Sequence, residues 1–374
     1  MLKKLTTIAL NTLTAFWVVA ALLLVASGYS DRLSPEVFVW APALGLAFPF
    51  MIALNLLFLL LFITFCWRRA WLPVAAFAVT YPPISLYIPL NGSTADKGSI
   101  ADGQTMTVMS YNMLGFNGPG PKDDKNSVAL GQIVAYLRQQ QPDLLCAQEC
   151  MDGWRGAKQR LDSIFAHSDT LTLVKDAKRY NAIGIFTRYP ILGRERIQYR
   201  SFANGSVAWT LLRGRDTLLV VNNHLETTHL NKSLRNTYHN MLHGDEPADT
   251  MRLQTRHIAG VLAGSAIIRV QQARAVAHYT DSVRQRHPSW LLVVCGDFND
   301  SPISYTHRVM ASGLTDCFQA AGNGTGWSMQ AKAFPVRIDN VICSDRLSPV
   351  SCKIDRSITA SDHYPIIATL RVER

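Results

Sequence analysis

Residues 291–300 read LLVVCGDFND, an apolar run from Leu291 to Cys295 that passes straight into Gly296-Asp297-Phe298-Asn299-Asp300. A short apolar run stopped by glycine is the pattern of a buried strand ending in a turn. Asp297 and Asn299 are thereby placed at the mouth of a sheet, close to its interior. An ionised carboxylate there is costly without a partner, so the stretch raises the question of what charge Asp297 faces.

Outward from this run, strand-like and helix-like segments alternate. Strands are expected at 106–114, 143–149, 181–191, 216–226, 337–344 and 366–372, and amphipathic helices at 126–140 and 252–286. Many strands mixed with helices over about 270 residues indicate a layered α/β domain, too large for one small sheet. The polar stretch 227–251 fits neither period and reads as a long loop or lid, a class that is often functional.

The strand ends share a chemistry. Asn112 ends one, Glu149 another and His224 a third; Asp297 and Asn299 follow Leu291–Cys295, Asp339 opens the next, and Asp362-His363 precedes the last. Gathered at one edge, these carboxylates, histidines and carboxamides make a polar pocket. Carboxylates so close repel and take up protons unless a cation is present. Oxygen donors with few sulfurs suit a hard cation such as Mg²⁺ or Mn²⁺. Each residue also has an ordinary reading. Asn112, Asp297 and Asp362 can serve as turn or cap residues, Glu149 or Asp339 can form a structural ion pair (Arg337 is near the latter), and His224 can be a satisfied core histidine. These readings do not explain why all of the residues fall at strand ends.

The stretches SYNML, CAQE, NAIGIFTRYPI, NNHLE, GDFND, RIDNVI and SDHYPI, in that order, resemble the endonuclease/exonuclease/phosphatase superfamily of DNase I-like nucleases and phosphatases, over residues 106–374. The resemblance implies a four-layer α/β/β/α sandwich of two mixed sheets and a metal-dependent hydrolase of phosphate mono- or diesters. It also implies roles. Asn112, Glu149 and Asp362 would bind metal, and Asp297 and Asn299 would orient water and hold phosphate or metal. His224 would bond a phosphate oxygen, and Asp339 would pair with His363. Asn112, His224, Asn299 and His363 would contact substrate.

The chain carries a formal charge of +10. Residues 1–103 hold six Lys/Arg and four Asp/Glu, the remainder 31 and 23, and all ten histidines lie in the remainder. Despite this basic bias no long Lys/Arg stripe appears, as a nucleic-acid face would want. A lipid head group, sugar or inositol phosphate is therefore favoured over DNA or RNA. A non-catalytic receptor or scaffold would call for a missing site residue, and none is missing. No protein partner is expected.

The first 90 residues are apolar. Three stretches, roughly 8–28, 41–66 and 71–90, are near the length that spans a bilayer, which gives a membrane region at 1–90, a polar linker at 91–104 and a catalytic domain at 105–374. A cleaved signal peptide is the competing reading of the first stretch. Lys3-Lys4 and Arg68-Arg69 face the cytoplasm by the positive-inside rule. Three crossings then put the catalytic domain on the periplasmic or extracellular side of the inner membrane; a third stretch bent by its prolines would reverse this. Smaller features stay open. Cys150, Cys317, Cys343 and Cys352 leave room for one pairing; His229, His239 and His243 lie in the polar loop; Lys175, Lys178 and Arg179 cluster before Tyr180-Asn181; and Trp327 fits either a pocket wall or the core.

Overall fold

The run Leu291–Asp297 forms strand β8, with every residue buried. The residues of this run alternate between two cores. Leu291, Val293 and Cys295 face the space between two sheets, while Leu292 and Val294 face outward, under helices. Burial on both faces is why the run is apolar throughout rather than alternating. The structure, a computed structural model, describes residues 2–92, 104–118, 126–150, 156–175, 180–228, 248–330 and 336–373. Most of the expected linker 91–104 and loop 227–251, with Lys178, Arg179, His229, His239 and His243, lies outside the described residues.

One six-stranded sheet has the order β11-β12-β1-β2-β4-β3, comprising Leu347–Ile354, Ile366–Val372, Thr105–Asn112, Leu144–Gln148, Tyr180–Thr187 and His167–Lys175. The second has the order β5-β6-β7-β8-β10-β9, comprising Ile191–Ile197, Gly205–Arg213, Asp216–His224, Leu291–Asp297, Asp339–Cys343 and Thr315–Asp316. Both mix parallel and antiparallel pairs: β1–β2 and β7–β8 are parallel. Helix α5 (Asn126–Gln140) covers the first sheet through Leu130, Ile133 and Leu137, with α6 (Ala157–Asp162) beside it. The long helix α7 (Ala248–Arg286) and α8 (Tyr305–Met310) cover the second through Ala273, Val276 and Met310. The four layers are therefore helix, sheet, sheet, helix, as the sequence implied. A short helix α9 (Cys317–Ala321) packs near β10 and β11.

At the N-terminus, α1 (Leu2–Gly28) and α2 (Ala41–Cys66) are long and apolar enough to cross a membrane. The third stretch differs from one continuous span. It breaks into α3 (Trp71–Val79) and α4 (Tyr81–Tyr87). Pro83 has no N–H to give the Val79 carbonyl, and the Tyr29 hydroxyl donates to that carbonyl instead, at 2.7 Å. Even broken, the segment carries the chain back. Arg69 Nη1 donates to the Leu10 carbonyl, 2.9 Å, at one end of the bundle, whereas Tyr87 stacks edge-on against Phe48 at the other.

That second end meets the four α/β layers. Ser30 Oγ donates to the Ile303 carbonyl, Arg308 pairs with Asp31 at 3.2 Å and Arg274 with Glu36 at 2.8 Å. Arg337 Nη2 donates to the Leu86 carbonyl. The approach is close enough to require glycine in α2, because a Cβ on Gly45 would lie 2.6 Å from the Ile303 carbonyl oxygen. None of the seven cysteines forms a disulfide; Cys317 and Cys343 touch, sulfur to sulfur, at 3.8 Å.

Candidate active site

Sheet register brings the strand-end residues together. Asp297 on β8 is paired across one side with His224 of β7 and across the other with Asp339 of β10. The second sheet thus presents His224, Asp297 and Asp339 in a row. Asn112 ends β1 of the facing sheet, and Glu149 follows β2. The side chain of Asn112 closes the gap between the sheets: its Nδ2 donates to Glu149 Oε1 and to Asp297 Oδ2, both at 3.1 Å. Its Oδ1 accepts the Leu114 N–H at 3.1 Å. The amide nitrogen, not the oxygen, thus faces the carboxylates.

The local backbone is bent to this purpose. Glu149 and Asn299 have φ of 50° and 51°, a left-handed region costly for residues other than glycine and typical of functional sites. Gly296, at φ 130°, is obligatory: a Cβ there would meet the Asn223 carbonyl oxygen at 2.0 Å. The turn it permits lets the Asn299 N–H reach Asp297 Oδ1 at 2.8 Å, while Asn299 Nδ2 donates to the Leu225 carbonyl.

The surroundings push the two histidines in opposite directions. His363 Nδ1 lies 2.9 Å from Asp339 Oδ2, and its Nε2 lies 3.8 Å from Asp297 Oδ2. Burial opposes the imidazolium, but Asp339 and Asp297, joined by Asp362, outweigh it and hold the His363 pKa well above the usual value. His224 is pulled below the usual value, first by burial, against the attraction of Asp297. Beside its Nδ1, at 3.3 Å, lies the amide nitrogen of Asn181, whose two hydrogens go to the Ala203 carbonyl and Asn204 Oδ1. His224 Nε2 points between Glu149 Oε1 and Asp297 Oδ2, 3.7 Å from each.

Burial pushes the Glu149 carboxyl above its ordinary value, with the Asn112 amide working against it. It also pushes up the Asp297 carboxyl, with Asp339 adding to it and His363 and His224 opposing. Asp339 Oδ1 is buried with no hydrogen-bond partner. Crowded, partly orphaned oxygens of this kind fit a hard divalent cation, which would supply the missing positive charge. Ligand atoms of Asp297, Asp339 and His363 lie within 4.8 Å of one another. His363, however, already gives Nδ1 to Asp339, so the oxygens are the suitable donors. Asp362, with its Oδ1 4.0 Å from His363 Nε2, stands on the rim.

These eight expected residues therefore converge, and all except Asp339 line one cavity of about 280 Å³. Four contributors carry no role in the sequence reading. Asn181 stands beside His224. Arg269, fully buried on α7, pairs with Asp300 Oδ2 at 3.1 Å and lines the same cavity. Gln148 and Asn222 clasp the two sheets behind the site through a 2.6 Å bond from Gln148 Nε2 to Asn222 Oδ1. Arg337 pairs with Asp316 rather than with neighbouring Asp339. Neither Trp327 nor Lys175 lines the cavity.

Comparison with known proteins agrees with this geometry. Residues 109–363 match the model of the Endonuclease/Exonuclease/phosphatase family, and residues 10–87 match a domain of unknown function (DUF8431). No curated protein matches the chain. Among solved structures, the human Nocturnin catalytic domain with bound sulfate is similar at TM-score 0.52 and 15% identity, covering 72% of this chain and 95% of that one. An endonuclease/exonuclease/phosphatase from Beutenbergia cavernae DSM 12333 is similar at TM-score 0.51 and 17% identity, covering 72% of each chain. A third, from Bacteroides vulgatus, has TM-score 0.51 and 14% identity over 72% of this chain and 99% of that one. At such identities the likeness establishes the fold.

Proposed function

The chain belongs to the endonuclease/exonuclease/phosphatase family and is a metal-dependent hydrolase of phosphate esters; on that premise we propose that it is a membrane-anchored phosphoesterase acting on a phosphate mono- or diester by in-line attack of water. The observation that carries this reading is the meeting of Glu149, Asp297 and Asp339 with His224 and His363 around Asn112. Residues 1–90 serve as the membrane region and 105–374 as the catalytic domain.

In this reading Asp297, fixed through Oδ1 by the Asn299 N–H, takes the proton of the attacking water at Oδ2. Its raised pKa suits a base. His224 Nε2–H and His363 Nε2–H face the phosphoryl oxygens and stabilise charge that grows on them. As the new P–O bond forms, the bond to the leaving oxygen breaks, and that oxygen collects a proton from His363 Nε2. Asp339 keeps the His363 ring oriented and charged. Glu149 and Asp362 would hold Mg²⁺ or Mn²⁺, which when bound would supply positive charge to the phosphate and to the departing oxygen. Asn112 spaces Glu149 from Asp297, a donor's role rather than the ligand's role expected from the sequence.

The charge pattern of Lys3-Lys4 and Arg68-Arg69 supports a cytoplasmic location for that end of the bundle, with the catalytic domain opposite, on the periplasmic or extracellular side of the inner membrane. A fluorescent or phosphatase fusion at Arg374 tests this, and a cytoplasmic signal refutes it. For the chemistry, the full chain in detergent should release p-nitrophenol from bis-p-nitrophenyl phosphate with Mg²⁺ or Mn²⁺ and stop with EDTA. Asp297→Ala should lose at least about a thousandfold, the scale of acid–base catalysis. Activity that survives EDTA or Asp297→Ala overturns the proposal.

A further inference from the structure

The catalytic cavity has an apolar wall drawn from the membrane region. Pro42 and Leu46, on the first turns of α2, line it together with Asn112, Glu149, Asp297 and His363. Leu262 of α7 completes that wall, and Ile258 and Leu262 pack on Ala43 and Leu46. One turn further along α2, Phe50 is exposed. Positions 42, 46 and 50 are spaced by four and share one side of the helix, so an apolar track leaves the cavity and continues down α2.

The height of this track follows from helix geometry. Helix α2 has 26 residues, about 39 Å at 1.5 Å per residue, against a hydrocarbon layer of about 30 Å. Its excess of about 9 Å, shared between two ends, leaves the first turn in the head-group layer and puts Leu46 at the hydrocarbon boundary. The residues just before it agree, for Val37, Phe38, Val39 and Trp40 are all exposed, an apolar and aromatic cluster of the kind found at membrane interfaces. The cavity with Asp297 at its floor therefore opens at the level where lipid phosphates lie.

We infer that the substrate is a lipid-borne phosphate ester that enters sideways from the bilayer. Its phosphate sits between Asp297 and His363, and its hydrocarbon portion lies along Pro42, Leu46 and Phe50. The inference rests on the phosphoesterase reading above and names its substrate class. A water-soluble phosphate ester would have no use for a wall that continues into the hydrocarbon layer.

The test compares two esters with the same reacting centre, p-nitrophenyl hexadecyl phosphate in lipid vesicles and p-nitrophenyl ethyl phosphate in solution, both with the full chain reconstituted in those vesicles and with Mn²⁺. The hexadecyl ester should be turned over with a kcat/KM at least about a hundredfold higher. Leu46→Gln should lower that ratio at least tenfold, and Leu262→Ala should lower it in the same direction should the first variant fail to fold. Equal rates on the two esters, or a ratio untouched by both variants, overturns the lipid inference and leaves the phosphoesterase reading standing. No turnover of either ester overturns both.

Discussion

Arg337→Met should unfold this protein far more readily than removal of any surface charge. The guanidinium is wholly buried. Nη1 and Nη2 both donate to Asp316 Oδ2 at 3.0 Å, Nη1 also to Asn340 Oδ1 at 2.9 Å and Nη2 to the Leu86 carbonyl at 3.3 Å, and the group lies over the Phe318 ring. At 3.0 Å and an effective dielectric near 20 the pair attraction is about 5–6 kcal/mol before desolvation. Methionine leaves Asp316 buried with His307 as its remaining ionisable neighbour, and breaking such a pair costs about 3–5 kcal/mol. At roughly 2–4 °C per kcal/mol for a domain of this size, the thermal midpoint of the full chain in detergent, followed by tryptophan fluorescence, should fall by about 6–20 °C. Burial alone would raise the Asp316 pKa, yet Arg337 and His307 hold it well below the ordinary carboxylate range. Its stabilising contribution is complete above the unfolded value near 3.9 and is lost as pH falls toward the folded one. The gap between wild type and variant should therefore narrow below about pH 4. Adding Asp316→Asn, which keeps an oxygen to cap α9, should restore at least half of the loss. A single variant within 1 kcal/mol of wild type, or a double variant no better than the single, refutes this account.

Gly296→Ala should give no folded protein, since the added methyl has nowhere to go between β8 and the Asn223 backbone; a cooperative melt like wild type's would contradict that. Asn181→Ala should lower kcat about tenfold, a hydrogen bond's worth of about 1.4 kcal/mol, with little change in KM, because it removes the amide that packs 3.3 Å from His224 Nδ1 without touching substrate. Steady-state kinetics on bis-p-nitrophenyl phosphate checks this, and an unchanged kcat removes Asn181 from any positioning role.

The strands that the sequence disclosed are those with both faces buried. Leu291–Asp297, Leu144–Gln148 and Asp339–Cys343 are covered on both sides, so their apolar runs are continuous and stand out. Of those that escaped notice, β6 is interior and largely buried, while others are marginal. Strand β5 is an edge with exposed Arg194, Glu195 and Arg196, and charge on an edge guards against further pairing at the expense of a strand signature. Strand β3, at the edge of the other sheet, is only half-buried along most of its length. The third apolar stretch read as a span because hydropathy averages over prolines; the cost of Pro83 is local, and Tyr29, far away in sequence, meets it.

The site was legible for a related reason. Its acids and histidines sit at the ends of conspicuous strands, and pairing those strands in register is sufficient to bring them together, as His224, Asp297 and Asp339 show. What holds them in position was not legible. Gln148 stands next to the site residue Glu149 and Asn222 two residues before His224, and both look like part of the same polar run. Their side chains point instead into the space between the sheets, where Asn222 Nδ2 also reaches the Ala147 and Gly184 carbonyls at 3.1 and 2.9 Å. A buried amide with three partners across two sheets fixes their spacing. That spacing sets the gap Asn112 bridges between Glu149 and Asp297. Position along a strand hides this division of labour from a linear reading: Gln148 is next to Glu149, and Asn222, two residues from His224, shares its face, yet in each case one side chain serves the chemistry and the other the scaffold that aligns it.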